Sequence, residues 1–132
     1  KGSPLIIGVV YRSPNSTPAN DLQLFNVIKV ATKKEVIVMC DFNYPDISWE
    51  GGVYGSKGGE FYELLQDCFL HQHVPFPTRG ANILDLVLSS SPNIIRNVVS
   101  LGKLGTSDQE IVGLNVLWSH FVSISTELIP NY

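Results

Sequence analysis

What the sequence has little of rules against several classes of protein. It has only two cysteines, Cys40 and Cys68, and both lie inside apolar runs, which indicates neither a disulfide framework nor the spacing of a zinc site. No apolar run approaches the roughly 20 residues of a membrane span. Nine basic residues stand against 12 acidic ones, and this balance argues against broad nonspecific binding of nucleic acid. We therefore expect a protein of a reducing compartment without a membrane partner.

The chain also lacks a methionine start, a signal-peptide pattern, internal repeats and low-complexity tracts. It enters an apolar run almost at once, after Lys1-Gly2-Ser3-Pro4, so we expect it to be a segment of a longer protein. A length of 132 residues corresponds to about one domain, and 44% hydrophobic content with 16% charge is ordinary for a globular fold. We expect one folded portion over residues 1–118 and a tail over residues 119–132 in which no periodicity predicts an element.

Apolar patterning predicts alternating strands and helices. Apolar runs predict strands at Leu5–Tyr11, Val36–Cys40, Ile83–Ser89, Ile94–Leu101 and Glu110–Trp118. One helix is expected from an N-cap at Asn20 to about Thr32. The second is predicted by apolar residues at helical spacing, namely Phe61, Leu64, Leu65, Cys68 and Phe69. This order predicts an α/β or α+β fold, a layered sandwich of mixed β-sheet with flanking helices.

The stretch Val36–Trp49, VIVMCDFNYPDISW, has the strongest pattern of a functional site. Its apolar strand ends abruptly at Asp41, and in extended backbone Asp41 and Asn43 project to the same side. A carboxylate and an amide so placed can orient a water molecule or hold a phosphate oxygen near a metal ion. The alternative is that both residues only bond local backbone in an Asx-turn where the strand stops.

Other polar residues leave two interpretations open. His71 and His73 form an H-x-H pair that suits a metal ligand set, or only suits the dipole at a helix C-terminus. Arg79, in a turn, faces either phosphate or solvent. Asp85 shares a strand face with apolar residues, so its ionised carboxylate would be costly there without a partner.

Several ordered motifs resemble a known family. They are Val9-Val10-Tyr11-Arg12-Ser13-Pro14, Asp41-Phe42-Asn43, Pro77-Thr78-Arg79, Ile83-Leu84-Asp85-Leu86-Val87-Leu88-Ser89 and Gly105-Thr106-Ser107-Asp108. Together they resemble the endonuclease/exonuclease/phosphatase superfamily, most closely the endonuclease domain of LINE-type (non-LTR) retrotransposons, over roughly Leu5 to Val112. The resemblance implies a two-sheet sandwich of four layers, of which this chain would be an incomplete, C-terminal half.

The resemblance also implies a chemistry, the hydrolysis of DNA phosphodiesters with Mg²⁺ or Mn²⁺ in the parent family. By this resemblance Asp41 would orient or deprotonate the attacking water, and Asn43 would bond the phosphate in the transition state. The phosphate would also be contacted by Tyr11, Arg12 and Arg79. Asp108 would hold the metal ion, and Asp85 would orient the histidine that follows Asp108 in the family.

Three departures from the family pattern argue against activity. Gln109 stands where the pattern has that histidine, and an amide carries neither a transferable proton nor a positive charge. Cys40 replaces the glycine that usually precedes Asp-Phe-Asn. The family's N-terminal half, which supplies an Asn and a metal-binding Glu, is not in this sequence. We expect impaired or absent cleavage, and we expect the Gln109 amide to bond Asp85 in place of the histidine.

Three functional hypotheses follow. The first is a segment of a metal-dependent endonuclease that acts on DNA, encoded with a reverse transcriptase in one polyprotein. The second is a non-catalytic retroelement-derived protein that keeps the fold to bind a partner. The third is a phosphatase or phosphodiesterase for small substrates. We expect an intracellular protein, nuclear if it acts on genomic DNA, which self-associates or needs the missing N-terminal half because apolar strand faces lack cover.

Overall fold

The computed structural model describes residues 4–103, 105–118 and 122–128, the last of these as backbone only. The strands are β1 Leu5–Tyr11, β2 Val36–Asp41, β3 Ile47–Ser48, β4 Val53–Tyr54, β5 His71–Gln72, β6 Asp85–Ser89, β7 Ile95–Lys103, β8 Glu110–Val116 and β9 Val122–Leu128. The helices are α1 Pro18–Ala31 and α2 Gly59–Asp67. The five strands expected from apolar runs are confirmed, with ends that differ by at most two residues.

The central sheet has five strands in the order β5-β6-β2-β1-β9. Strand β1 runs parallel to β2 and β9, whereas β6 is antiparallel to both β2 and β5. The parallel pair β1 and β2 is connected by α1, as a crossover connection requires. Strands β3 and β4 form a small hairpin, and β7 and β8 form a longer one. The expected mixed-sheet α+β architecture with flanking helices is confirmed.

Helix α1 begins earlier than predicted. Its N-cap is Thr17, whose Oγ1 accepts a hydrogen bond from the backbone N of Asn20 at 3.2 Å, so the prediction of Asn20 as the cap is wrong. Pro18 occupies the first turn, where its missing N–H costs nothing. A threonine followed directly by proline is therefore the start signal that the apolar pattern hid.

Helix α2 ends earlier than the apolar pattern suggested. Phe69 adopts a positive φ of 56°, and the backbone N of Leu70 donates to the carbonyl of Leu65 at 2.9 Å. Together with the bond from the Phe69 N to the Gln66 carbonyl, this is a Schellman motif, which usually has glycine at the left-handed position. Phe69 leaves the helix there and is 79% exposed, so its predicted place on the buried face is wrong.

Both helices cover one face of the central sheet. Their apolar residues pack with alternate strand residues into one cluster, formed by Leu24, Phe25, Ile28, Phe61, Leu64 and Leu65 against Val10, Val36, Val38, Cys40, Leu86 and Leu88. Phe61 contacts the rings of Phe42 and Tyr44, with centroid distances of 4.7 and 4.8 Å. The stretch after β2 is thus fastened to α2.

The opposite face of the sheet is only partly covered. Its buried cluster contains Leu5, Ile37, Val74, Val87, Ile94 and Ile95. Toward the end of β1, Val9 and Tyr11 on this face are 42% and 48% exposed. The cover therefore thins toward the strand end where Asp41 lies, and the polar residues of interest face this open side.

The tail contains one element. Residues 122–128 form β9, which adds an edge strand beside β1 with Leu5 opposite Val122 and Tyr11 opposite Leu128. The rest of the tail, 119–121 and 129–132, lies outside the described residues. No helix in the described part of the chain is both long and apolar enough to cross a membrane.

Candidate active site

Three polar side chains form a row across the ends of adjacent strands. Tyr11 on β1 is paired with Asp41 on β2, and Asp41 is paired with Asp85 on β6. Laterally paired residues project from the same face of a sheet, so the phenol and both carboxyls share the open face. The sequence placed these residues about 30 and 44 positions apart, and strand register alone brings them together.

The carboxyl of Asp41 lies in an unfavourable environment for its charge. Burial and then the neighbouring Asp85 carboxylate raise the pKa of Asp41 from 3.8 to about 6, while Arg79 and a backbone hydrogen bond at Asn43 partly oppose the shift. Only 14% of its side chain is exposed, and among the described residues its Oδ1 has no hydrogen-bond partner. A carboxyl with a pKa near neutrality is suited to accepting a proton from water.

A tight turn carries Arg79 to this row. The backbone N atoms of Thr78 and Arg79 both donate to the carbonyl of Asn82, and Gly80 supplies the positive φ of 59° that the turn needs. Thr78 is fully buried, and its Oγ1 accepts hydrogen bonds from the backbone N of Leu84 and of Asp85, each at 3.0 Å. Thr78 thus fixes the start of β6, a role that its sequence context did not reveal.

Gln109 connects the turn with the row of carboxyls. Its Nε2 donates a short hydrogen bond to Asp85 Oδ2, and its Oε1 accepts a short one from Arg79 Nη2. The expected pairing of Asp85 with Gln109 is therefore confirmed, and it explains how a carboxylate is accommodated at that position. Of the two interpretations of Arg79, the guanidinium faces the site, although its side chain is 41% exposed.

The described residues do not fit a divalent metal ion. Among them, no three His, Cys, Asp or Glu side chains gather closely enough to hold one. Instead, Arg79 Nη2 lies 4.0 Å from Asp41 Oδ2, and Arg79 Nε lies 3.8 Å from Asp108 Oδ1. A guanidinium between these carboxylates supplies a positive charge in the place where a bound cation would have to sit. Asp108 itself is 69% exposed.

Asn43 lies beside the row but is held differently from expectation. Strand β2 ends at Asp41, and Asn43 has a positive φ of 56°, so the extended backbone assumed for the pair does not continue to Asn43. The Asn43 Nδ2 donates to the carbonyl of Arg12. For Asn43, the structure therefore favours the alternative of a backbone-bonding turn residue, with one amide hydrogen left for another acceptor.

The Arg12 side chain stabilises the fold and does not reach the open face of the sheet. Its guanidinium is bidentate to Asp21, with N–O distances of 2.8 and 3.0 Å, and also donates to the carbonyls of Phe42 and Asn43. It stacks 3.9 Å from the ring centroid of Tyr44, and only 6% of the residue is exposed. The expectation that Arg12 contacts a phosphate is therefore wrong, because its guanidinium is bound inside the protein.

The two histidines belong to another part of the sheet. His71 pairs with Ser89, at the end of β6 opposite Asp85, and the His73 ring Nε2 lies 2.7 Å from the Ser89 hydroxyl. Burial, and then His71, lower the pKa of His73 below its ordinary value. Nothing in the described residues makes this pair part of a metal cluster.

A cavity of about 870 Å³ borders the site without including its carboxyl row. It is lined by Arg12, Asn43, Asp21, Lys57, Glu60 and apolar residues such as Phe25. The row of Tyr11, Asp41 and Asp85 does not line it. The cavity therefore lies behind the Asn43 loop, on the side where Arg12 is buried.

Comparisons with known proteins find a family and a similar fold. The family model described as "Endonuclease-reverse transcriptase" matches residues 5–112. Among solved structures, the endonuclease domain of TRAS1, a telomere-specific non-LTR retrotransposon, matches with a TM-score of 0.62 at 16% identity. That match covers 83% of this chain and 56% of that domain, so the chain corresponds to little more than half of it. No curated protein matches the sequence.

Proposed function

The chain belongs to the endonuclease-reverse transcriptase family, and we propose that it is part of a retrotransposon-type endonuclease domain that contacts DNA phosphodiesters at the Tyr11–Asp41–Asp85 row but cleaves them slowly or not at all. The observation that carries the proposal is the Gln109 amide, bonded to Asp85 on one side and Arg79 on the other. An amide in that position can orient its neighbours but cannot transfer a proton.

Each group in the row has a definable part in this proposal. Asp41, with its pKa raised to about 6, orients the attacking water and accepts its proton. The Tyr11 hydroxyl and the Arg79 guanidinium hold non-bridging phosphate oxygens, where a fixed positive charge stabilises the charge that develops. Asn43 retains one amide hydrogen for the same oxygens. Gln109, where the family pattern has a histidine, carries neither a transferable proton nor a positive charge, and this is the reason to expect slow cleavage.

Dependence on Mg²⁺ or Mn²⁺, with Asp108 as a ligand, rests on the resemblance alone. The described residues do not fit such an ion, so we derive no step through it. DNA as the substrate, a reverse transcriptase in the same polyprotein and a nuclear location are likewise proposals that the family membership makes reasonable.

A plasmid-nicking assay tests this proposal. Supercoiled DNA is incubated with the chain and Mg²⁺, beside Asp41→Ala and Gln109→His variants. We expect no nicking above the Asp41→Ala background, and little gain from Gln109→His alone. Nicking by the unmodified chain that Asp41→Ala abolishes would show that the site is active and would overturn the proposal of impaired cleavage.

A binding assay tests the proposed DNA contact and separates the remaining alternatives. Fluorescence anisotropy of a labelled duplex, measured over a series of salt concentrations, should show weak binding whose salt slope falls by about one with Arg79→Gln. Arg96→Gln is the matched control, because Arg96 is exposed on β7 away from the row. No DNA binding, together with hydrolysis of a small phosphate ester, would favour the phosphatase alternative. The absence of both DNA binding and ester hydrolysis would favour a non-catalytic role.

A further inference from the structure

We propose that Arg79 is a built-in cation of this site, positioned by Gln109, and that it keeps divalent metal ions away from the carboxylates of Asp41, Asp85 and Asp108. The inference concerns the same residues as the proposed function. It does not depend on DNA binding or cleavage, so a chain that does neither could still show it.

The first step is the density of negative charge. Asp41 and Asp85 are paired directly across adjacent strands. Asp108 directly precedes Gln109, whose amide bonds Asp85. Like charges on neighbouring strands repel, and this repulsion grows where solvent is partly excluded. The side chain of Asp41 is 14% exposed, so water screens its charge poorly. A positive charge nearby, from either an ion or a side chain, would relieve this repulsion when both carboxyls are ionised.

The second step is that Arg79 already stands in that position. Its guanidinium reaches toward Asp41 and Asp108, with N–O distances of 4.0 and 3.8 Å. These distances are long for hydrogen bonds but short for charge attraction. The Arg79 Nε is buried, and within the described part of the chain it has no hydrogen-bond partner. The guanidinium is therefore held by something other than its two carboxylate neighbours.

The third step identifies what holds it. The backbones of Arg79 and Gln109 pair as neighbours in an isolated antiparallel bridge, and the same turn of backbone joins Arg79 to Asn82. The Gln109 amide has a fixed orientation, because a carboxylate at Asp85 can only accept and so must face the amide nitrogen. The amide oxygen is then directed at Arg79 Nη2. Gln109 is a positioning residue, and it acts through Arg79.

The fourth step concerns the consequence for metal binding. A Mg²⁺ or Mn²⁺ ion bound by these carboxylates would lie within a few ångströms of the guanidinium charge and would have to displace it. Displacement breaks the bond to Gln109 and leaves the partly buried amide oxygen of Gln109 without that partner, which is unfavourable. Removal of the charge, or of the amide that positions it, should therefore make the carboxylates a better site for a divalent ion.

The experiment uses Mn²⁺ itself as the probe. Paramagnetic broadening of backbone NMR signals is followed during a Mn²⁺ titration of the unmodified chain and of four variants. Arg79→Gln removes the charge but keeps a hydrogen-bonding side chain, and Arg79→Lys keeps the charge. Gln109→Leu removes the positioning amide. Arg96→Gln removes one exposed charge elsewhere and is the matched control.

We expect Arg79→Gln to bind Mn²⁺ at least about tenfold more tightly than the unmodified chain, with broadening centred on Asp41 and Asp108. Gln109→Leu should shift the affinity in the same direction by a smaller factor. Arg79→Lys and Arg96→Gln should resemble the unmodified chain. If Arg79 acted only in folding, this pattern would not appear, because Arg79→Lys would not restore the Mn²⁺ affinity of the unmodified chain.

Two results would overturn the inference. One is equal Mn²⁺ affinity at Asp41 and Asp108 in the unmodified chain and in Arg79→Gln. The other is an unchanged affinity in Gln109→Leu beside a raised one in Arg79→Gln, which would refute positioning by Gln109. If Arg79→Gln does not fold, the comparison of Gln109→Leu with Arg79→Lys still decides, because both leave residue 79 positively charged and only Gln109→Leu should bind Mn²⁺ more tightly.

Discussion

The raised pKa of Asp41 predicts an unusual dependence of stability on pH. Its pKa is about 6 in the folded chain against an ordinary value of 3.8, chiefly because the carboxyl is buried and then because Asp85 is adjacent. The folded state therefore binds a proton more tightly than the unfolded state does. The stability contributed by this carboxyl is fully present below the unfolded pKa and is lost as pH rises through the folded one.

The magnitude follows from the two pKa values. A difference of roughly two pH units at about 1.4 kcal/mol each gives a ceiling of about 3 kcal/mol above pH 7. Between about pH 4.5 and about pH 7.5, the loss expected from linkage is about 2 kcal/mol. Relaxation of the site around the charge reduces this, so we expect about 1–2 kcal/mol.

The perturbation is Asp41→Asn, which removes the titration and keeps the shape. Urea unfolding of both chains at the two pH values gives the difference in their free energies of unfolding, and that difference cancels the titrating groups that do not interact with Asp41. We expect the free energy of unfolding of Asp41→Asn to rise by about 1–2 kcal/mol relative to that of the unmodified chain as pH rises over this interval. Asp67→Asn, at an exposed position on α2, is the matched control. A constant difference, or one that falls as pH rises, would refute the reasoning.

Three further predictions follow from the fold. Arg12→Lys should lower the free energy of unfolding by about 2–4 kcal/mol in urea unfolding, because lysine cannot reproduce the two-pronged contact with Asp21; a loss below about 0.5 kcal/mol would contradict this. Asp85→Leu combined with Gln109→Leu should lie within about 1 kcal/mol of the unmodified chain, whereas each single change should cost more, as a double-mutant cycle would measure. The partly open sheet face should make the chain self-associate at concentrations on the order of tens of micromolar, and sedimentation that shows a monomer without binding of a hydrophobic dye would count against it.

The sequence predicts β1, β2 and β6 well because each is a nearly continuous apolar run. Leu5–Tyr11 has the predicted bounds, although Val9 and Tyr11 on its open face are exposed. Pairing across the sheet is a different matter. Nothing local in the sequence shows that Tyr11, Asp41 and Asp85 share one row, since only the register of β1, β2 and β6 aligns them. The resemblance to a family supplied that alignment, because the residues match the family's motifs in order.

Arg12 shows where the carry-over from a family fails. A basic residue beside Tyr11 invites a role with phosphate, and the sequence contains no local sign of its partner, nine positions away on α1. The structure directs the guanidinium to Asp21 and to the carbonyls of Phe42 and Asn43, on the side of the sheet away from the row. Successive residues in a strand face opposite sides, so Tyr11 and Arg12 cannot both reach one phosphate from regular strand geometry. That argument was available from the sequence.

The string from Tyr44 to Trp49 owes much of its pattern to packing and not to chemistry. Asp46 Oδ2 accepts hydrogen bonds from the backbone N of Lys57 and of Gly58, at 3.0 and 2.9 Å, and so fastens the loop before α2. A Cβ at Gly55 would approach an Asp46 oxygen to 2.6 Å, and one at Gly58 would come within 2.4 Å of Ile47. The two glycines thus make room for Asp46 and Ile47 of the string, nine and eleven positions earlier. A string of this kind can persist in a chain whose site has lost its chemistry, because the fold still needs it. The strength of the motif is therefore evidence for the family and the fold, while activity has to be judged at Gln109 and Arg79.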